Sequence, residues 1–361
     1  MDEIRKMLHS HPDVSGGEKY AHNLVVEELT RLAPDRLHTH VGGYGVVAFF
    51  GKSASEPTLA FRADIDALPI GHRCGHDGHT VTLLRFAQLV NAQRAELPYN
   101  VLLIFQPEEE TGAGARKIVE SGILDEYNIK YIFGYHNIPG YSEGEVLLNS
   151  RTFAAASSGV VYSLHGRPTH ASTPEKGLGP GLAVAEIIES MQQRMNHPVE
   201  SGDQSSFMQS TLICVRVGEE AFGTAAGDAT LMFTLRAFTN ATMARLLDQA
   251  SDMVASVATR YGLTVGSSQV EPFMATENNA DVVSSIAVIA HEGGYAVREL
   301  NQPFRWSEDF ATYLQKYPGA LFGVGAGIDH VELHHPDYDF PDAIVEPTAQ
   351  LFLRLAMNKW K

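Results

Sequence analysis

Two cysteines in 361 residues are too few for a disulfide framework. They also keep different company: Cys74 stands among histidines, Cys214 inside the apolar run Thr211 to Val217. No run of roughly 18 apolar residues occurs, so no membrane-spanning helix is expected. The opening MDEIRKMLHS lacks the apolar core of a signal peptide, which makes a cytoplasmic location the expectation. Basic residues are scarce: 27 Lys and Arg against 43 Asp and Glu give a formal net charge of −16, and no basic block is present to grip phosphates. That excludes a nucleic-acid binder. The acidity reads either as a solvated surface or as a field that steers a cationic substrate.

What is present is an ordinary globular composition, 44% hydrophobic and 19% charged. The length exceeds the roughly 250 to 300 residues at which a single core stops growing, so two domains are expected. From Met1 to about Leu32 the apolar spacing is helical, broken at Pro12, with Leu24, Val25, Leu29 and Leu32 on one face. After Gly42-Gly43 come short apolar runs, Val46 to Phe50, Leu59 to Arg62, Val101 to Gln106 and Tyr131 to Tyr135, with helical stretches near 79–94 and 112–121. This alternation predicts an α/β domain with a mostly parallel sheet and helices on both faces.

Around Ala154 to Ser158 a small-residue stretch reads as a linker. Beyond it the order is strand (Gly159 to Leu164), helix (Gly181 to Met195), strand (Thr211 to Val217), strand (Ala229 to Phe238), helix (Ala241 to Tyr261) and strand (Leu263 to Val270). That order fits an inserted ferredoxin-like α+β domain over 156–267, leaving 1–155 and 268–361 as the larger domain. The remainder returns to helix, a strand at Ala320 to Val324 and a closing helix from about Pro347.

The densest chemical signal is HRCGHDGHT, His72 to Thr80, with one Cys, three His and one Asp just beyond a predicted strand. Thiolate, imidazole and carboxylate in such proximity suit metal ligation, although histidines in a loop are also common surface residues. Glu108-Glu109-Glu110 follow directly on the apolar run ending at Gln106. Alone such a run is a solvated face or a first helical turn, but ligands in open α/β sheets collect at the carboxyl ends of strands. The same rule picks out His136 and His334. Cys74, His76, Glu110, His136 and His334 are therefore candidate ligands for two divalent transition metals, with Zn²⁺, Mn²⁺, Co²⁺ or Ni²⁺ suited to this donor set. A carboxylate that is not a ligand would manage the proton.

FRADIDALPI, HRCGHDGHT, FQPEEETGAGA, YHNIPG, the Gly166 to Pro174 segment, SEDFATYL and LHHPDYDF together resemble the landmarks of a known family, in order and over nearly the whole chain. It is the family of co-catalytic metallopeptidases that includes aminoacylases and glutamate carboxypeptidases, in the branch of hippurate hydrolases and auxin-amino-acid amidohydrolases. The resemblance implies Cys74 as bridging ligand, His76 and His136 completing one metal, Glu110 and His334 the other, and Glu109 as general base. It makes Glu108 a bystander and Asp64, Asp66, and Asp77 or His79 partners that orient ligands. It further implies that His170 reaches across a homodimer, formed through the inserted lid domain, to the reacting carbonyl, and that Arg236 binds the substrate carboxylate. The plainer readings are a turn-capping histidine and an exposed strand arginine.

Two departures from the family pattern fall where substrate would enter. Only Gly71-His72-Arg73 joins Ile70 to Cys74, and FGTAAGDA lacks an asparagine that many relatives carry. The expected function is removal of an acyl group from an N-acylated amino acid or related conjugate. The rivals are a dipeptidase or carboxypeptidase of the same family and a catalytically silent metal-binding relative.

Overall fold

The apolar runs of the first half become strands because each is buried on both faces. In the computed structural model, which describes residues 1–51, 53–199 and 203–360, the strands in chain order open with β1 (Arg36–Val41), β2 (Gly45–Phe50), β3 (Thr58–Asp64), β4 (Asn100–Gln106), β5 (Ile129–Pro139) and β6 (Val146–Leu148). They continue with β7 (Ala156–His165), β8 (Thr169–His170), β9 (Met208–Val217), β10 (Thr224–Ala225), β11 (Asp228–Ala237) and β12 (Thr264–Phe273), and close with β13 (Val297–Glu299) and β14 (Gly319–Gly327). The chain forms two units: Met1–Phe153, Thr276–Gln302 and Glu308–Lys361 in one, Ala154–Ala275 and Pro303–Ser307 in the other.

The first unit carries a sheet in the order β1-β2-β4-β3-β5-β14-β6-β13. Its centre, β4-β3-β5-β14, is parallel throughout, while β1, β2 and β6 join antiparallel. Every residue of β2, β3 and β4 is buried, as strands of a sheet covered on both faces require. One face packs against the helices Lys19–Leu32, His76–Ala92, Ala280–Glu292 and Val345–Met357. The other is covered by the short helix Gly114–Glu120, through Ala115 and Ile118, and by Phe310, which lies directly over Gly134. Phe61 on β3 sits among Phe86, Phe133 and Phe352 at ring separations of 4.6, 5.2 and 5.1 Å.

The second unit has the sheet order β12-β7-β11-β9, all antiparallel, with the helices Gly181–Arg194 and Asn240–Arg260 packed on one face. Strand, helix, strand, strand, helix, strand in that order is the ferredoxin-like arrangement. The second helix starts where Thr239 Oγ1 accepts the amide of Thr242 at 3.0 Å, satisfying an otherwise unpaired first-turn donor.

The structure moves two expected boundaries. β12 pairs with β7 as far as Phe273, so residues 268–275 stay with the second unit. The segment expected as a linker is buried instead: Ala155 donates its amide to the carbonyls of Phe304 and Trp306 within the same unit, and β7 begins at Ala156. Small residues are there because the packing is close. No helix among the described residues is long and apolar enough to cross a membrane.

Because Phe61 is fully enclosed by aromatic neighbours, Phe61→Ala is expected to lower unfolding stability by about 3–5 kcal/mol. Urea denaturation followed by tryptophan emission checks this; a loss below about 1 kcal/mol would mean the cluster collapses around the gap.

Candidate metal centre

Four strand ends of the parallel centre deliver the polar side chains to one place. β3 ends in Asp64, β4 runs through Gln106 into the Glu108–Glu110 turn, β5 carries His136 and Asn137, and the loop after β14 brings His334. The helix His76–Ala92 enters with its first residue pointing into the same space. The turn before it needs Gly75, whose φ of +95° is left-handed and whose added Cβ would lie 2.8 Å from the Asn137 amide.

The donor atoms of Cys74, His76 and His136 lie within 4.8 Å of one another, and so do those of Cys74, Glu110 and His334. The two sets share Cys74. Cys74 Sγ and His136 Nε2 are 3.7 Å apart. His136 Nδ1 is 2.9 Å from the Asn137 carbonyl, and His76 Nδ1 is 3.1 Å from the Asp66 carbonyl and 3.2 Å from Asp66 Oδ1. Because acceptors face both Nδ1 atoms, each carries a proton there and the Nε2 side of each ring turns inward. His76 Nε2 and Glu110 Oε1 are buried and have no hydrogen-bonding partner. His334 is held by its amide, which donates to the Arg73 carbonyl at 2.7 Å, with φ at +65°.

Burial opposes charge on His76, but Asp64 and Cys74 outweigh it and hold its pKa well above the usual value. Burial, then His79, pushes His136 well below. The Cys74 thiol is raised by burial and by Glu110, and Glu110 is pushed up to about 7 by burial with Asp66 and Asp64 behind it. Glu109 is also raised well above the carboxylate range, first by burial, then by Glu308, Glu110 and Asp309. Its Oε2 lies 3.9 Å from His76 Nε2, and its Oε1 accepts the Asp309 amide at 3.4 Å.

The expected orienting residues divide. Asp66 receives the Glu110 amide at 3.0 Å as well as facing His76, and Asp64 receives His79 Nδ1 at 2.6 Å. His79 continues through Nε2 to Asn137, whose Nδ2 donates to the Cys74 carbonyl at 3.2 Å. Asp77 touches no candidate ligand. Its Oδ2 takes Arg5 Nη1 at 3.1 Å and His9 Nδ1 at 2.9 Å, so it ties the N-terminal helix Asp2–Ser10 to the first turn of the helix His76–Ala92. A side chain one position past His76 on a helix is turned about 100° away, which is why adjacency in sequence misled.

The glutamate run is neither a solvated face nor a first helical turn. Glu108 pairs with Lys117 at 2.5 Å in a left-handed residue of φ +53°, Glu109 is buried, and the helix starts only at Gly114. In the short connection, Gly71 closes a turn onto Leu68, Arg73 Nη1 donates to the Tyr338 carbonyl, and His72 is buried with neither ring nitrogen bonded.

His170 and Arg236 lie in the second unit. On the exposed β8, His170 Nδ1 accepts the Ser172 amide at 3.1 Å, which places the proton of the neutral ring on Nε2. Arg236 Nη1 donates to the Arg305 carbonyl at 2.7 Å and to Ser307 Oγ at 3.2 Å, and no carboxylate pairs with it among the described residues.

The sequence reading assigned no role to Arg62, Glu308 or Asp309. Arg62 is 1% exposed, with Asp64 at 2.7 Å, Asp309 at 2.8 Å and Glu308 at 2.9 Å. A single arginine inside the apolar strand Thr58–Asp64 was the available signal, since a buried guanidinium demands carboxylate partners.

Residues 60–358 match the family described as Peptidase family M20/M25/M40. An N-acetylcysteine deacetylase of Bacillus subtilis is 29% identical over 98% of this chain and 95% of its own length. A hippurate hydrolase of Campylobacter jejuni is 27% identical over 100% and 96%. An IAA-amino acid hydrolase of Arabidopsis thaliana is 29% identical over 98% and 85%. A solved Bacillus subtilis structure described as a dinuclear metal binding peptidase of family M20 superposes with a TM-score of 0.84 at 26% identity, covering 99% of this chain and 96% of that one.

Removing Arg62 would strand three buried carboxylates. Arg62→Met is expected to cost about 3–5 kcal/mol of stability, and denaturant unfolding near neutral pH measures it. Stability equal to the parental protein would show that the cluster stands without its cation.

Proposed function

Because this chain belongs to peptidase family M20/M25/M40, we propose that it removes an acyl group from an N-acylated amino acid or a related conjugate, with two divalent transition-metal ions held by Cys74, His76, His136, Glu110 and His334 and with Glu109 as the base. The observation that carries this reading is the pair of three-donor sets sharing Cys74, with Glu109 at their side. The residues fit cations: His76 Nε2 and Glu110 Oε1 are buried 3.8 Å apart with no hydrogen bond, and each belongs to a donor set that shares Cys74. When bound, such ions lower the pKa of a water and polarise a carbonyl.

Glu109 accepts the proton of the attacking water and delivers it to the departing nitrogen. It is buried beside the donor sets, with Oε2 3.9 Å from His76 Nε2 and Oε1 accepting the Asp309 amide, so it is held at the centre without being one of the ligands. Asp66 and the Asn137 carbonyl keep the two imidazoles in the ligating tautomer. His170 offers an Nε2 proton to the carbonyl oxygen, and Arg236 offers guanidinium donors to the substrate carboxylate. The names of the relatives support the substrate class: N-acetylcysteine and IAA-amino acids are acyl groups joined to amino acids.

A homodimer through the second unit is part of the same proposal. The edge strand β9 exposes Leu212, Ile213 and Val217 at 41%, 59% and 42%, an apolar strip on a strand that, among the described residues, pairs on its outer side only at Met208, with His197. Sedimentation of the purified protein is expected to show a dimer, and Ile213→Glu to shift it toward monomer. A fully active monomer at micromolar concentration would remove the role given to His170 across a dimer.

Metal-stripped protein is expected to be inactive on a panel of N-acetyl, N-benzoyl and dipeptide substrates, and one of the four metals to restore cleavage of the N-acyl compounds. Preference for the dipeptides would favour the peptidase reading. With metal loading verified by elemental analysis, Glu109→Gln is expected to lower kcat by roughly 10²–10⁴-fold. A loaded variant that turns over at the parental rate would end the assignment of Glu109.

A further inference from the structure

Upstream of the family match, the turn before the helix Lys19–Leu32 holds a carboxylate with no obvious business in the interior. Glu18 is 0% exposed. Its Oε1 accepts two backbone amides, Gly16 at 2.7 Å and Glu108 at 2.9 Å, while its Oε2 is buried and bonded to nothing. A helix N-cap asks for a short side chain facing its own first turn, and Glu18 makes no such bond. Its reach goes elsewhere, to the amide that opens the glutamate turn.

That amide is a demanding one. Glu108 is a non-glycine residue at φ +53°, a conformation that persists only where the surroundings impose it. The Glu108 carbonyl is fixed by the amides of Ala113 and Gly114 at 3.2 and 3.1 Å, and the side chain by Lys117. On the amide side the fixing atom is Glu18 Oε1. The same N-terminal turn grips the opposite wall of the site, since Ser15 Oγ donates to Asp66 Oδ2 at 2.7 Å and Ala67 donates its amide to the Asp13 carbonyl at 2.8 Å. Asp66 in turn receives the Glu110 amide. The segment Asp13 to Glu18 is thus bonded directly to the amide that opens the glutamate turn and, through Asp66, to the Glu110 amide within it.

We propose that Glu18 is a positioning residue for the reaction: its buried carboxyl holds Glu108 in the left-handed conformation that aims Glu109 and Glu110 at the centre. This rests on the roles given above to Glu109 and Glu110. Burial raises the Glu18 pKa to about 7, so its neutral form, which glutamine imitates, is within easy reach. The carbonyl oxygen of a glutamine accepts the Glu108 amide equally well, whereas alanine leaves that amide buried and unpaired.

The test compares Glu18→Gln and Glu18→Ala with the parental enzyme. In metal-stripped protein, amide exchange of the peptide 107–113 is expected to be about tenfold faster in the alanine variant and parental in the glutamine variant. After metal restoration, kcat of the alanine variant is expected to fall about 10–100-fold with KM within about twofold, and glutamine to rescue it. Unchanged exchange in 107–113 for Glu18→Ala, or a glutamine variant as impaired as alanine, overturns the proposal. Should Glu18→Ala not accumulate folded, Glu18→Asp takes its place, because a carboxylate one methylene shorter is drawn back from Glu108 and predicts the same local loosening. Exchange is read without metal or turnover. A failure of Glu109 as base would therefore leave the exchange result standing, and a failure of Glu18 would leave the base assignment untouched.

Discussion

Arg62 stands in the middle of a strand covered on both faces, where a cation survives only if carboxylates surround it. Asp64, Glu308 and Asp309 do so, and Gln106 fills the remaining direction by accepting Nε at 2.8 Å. Each of these partners also faces the candidate centre or supports something that does. Asp64 holds His79, Asp309 receives the Ala115 amide and donates its own to Glu109, and Gln106 precedes the glutamate turn. One buried positive charge thereby fixes the relative places of β3, β4 and the Glu308–Leu314 segment, with a mixture of cations and anions that no apolar core would tolerate singly.

Around that anchor, the centre is assembled by backbone as much as by side chains. Gly75 turns the chain sharply enough for Cys74 and His76 to face one space, and the Cys74 carbonyl is held by Asn137 from the neighbouring strand. The glutamate turn hangs between Asp66, Glu18 and the first turn of the helix at Gly114. Candidate ligands come from a strand, a helix start and three loops, and the imidazoles of His76 and His136 are aimed by acceptors behind them. Orientation of this kind is what distinguishes a set of plausible donors from a site that can bind.

The second unit follows different rules. Its central strands β7 and β11 alternate buried and partly exposed residues, because helices cover only one face of an antiparallel sheet. That leaves His170, Arg236 and the edge of β9 on surfaces rather than in a core. Side chains of that kind take part in chemistry only when substrate or another chain meets them.

Much of this was legible in the residues. Period and composition marked β2, β3, β4 and β14 because fully buried strands are written as continuous apolar runs, and the cluster of His, Cys and Glu at their ends followed from where parallel strands stop. The short strands β1, β6 and β13 were not legible: β1 and β13 mix polarities, and β6 is three apolar residues, too few to carry a period. Nor was the end of the second unit at Ala275, which pairing along β12 decided. Sequence determined which residue types could hold a cation and roughly where. Only the folded chain decided that Asp77 turns away toward Arg5, that Arg62 sits beneath the centre, and that Glu18 reaches ninety residues along the chain to Glu108. Those outcomes depend on side-chain direction and on contacts between distant segments, and neither is encoded in spacing along the chain.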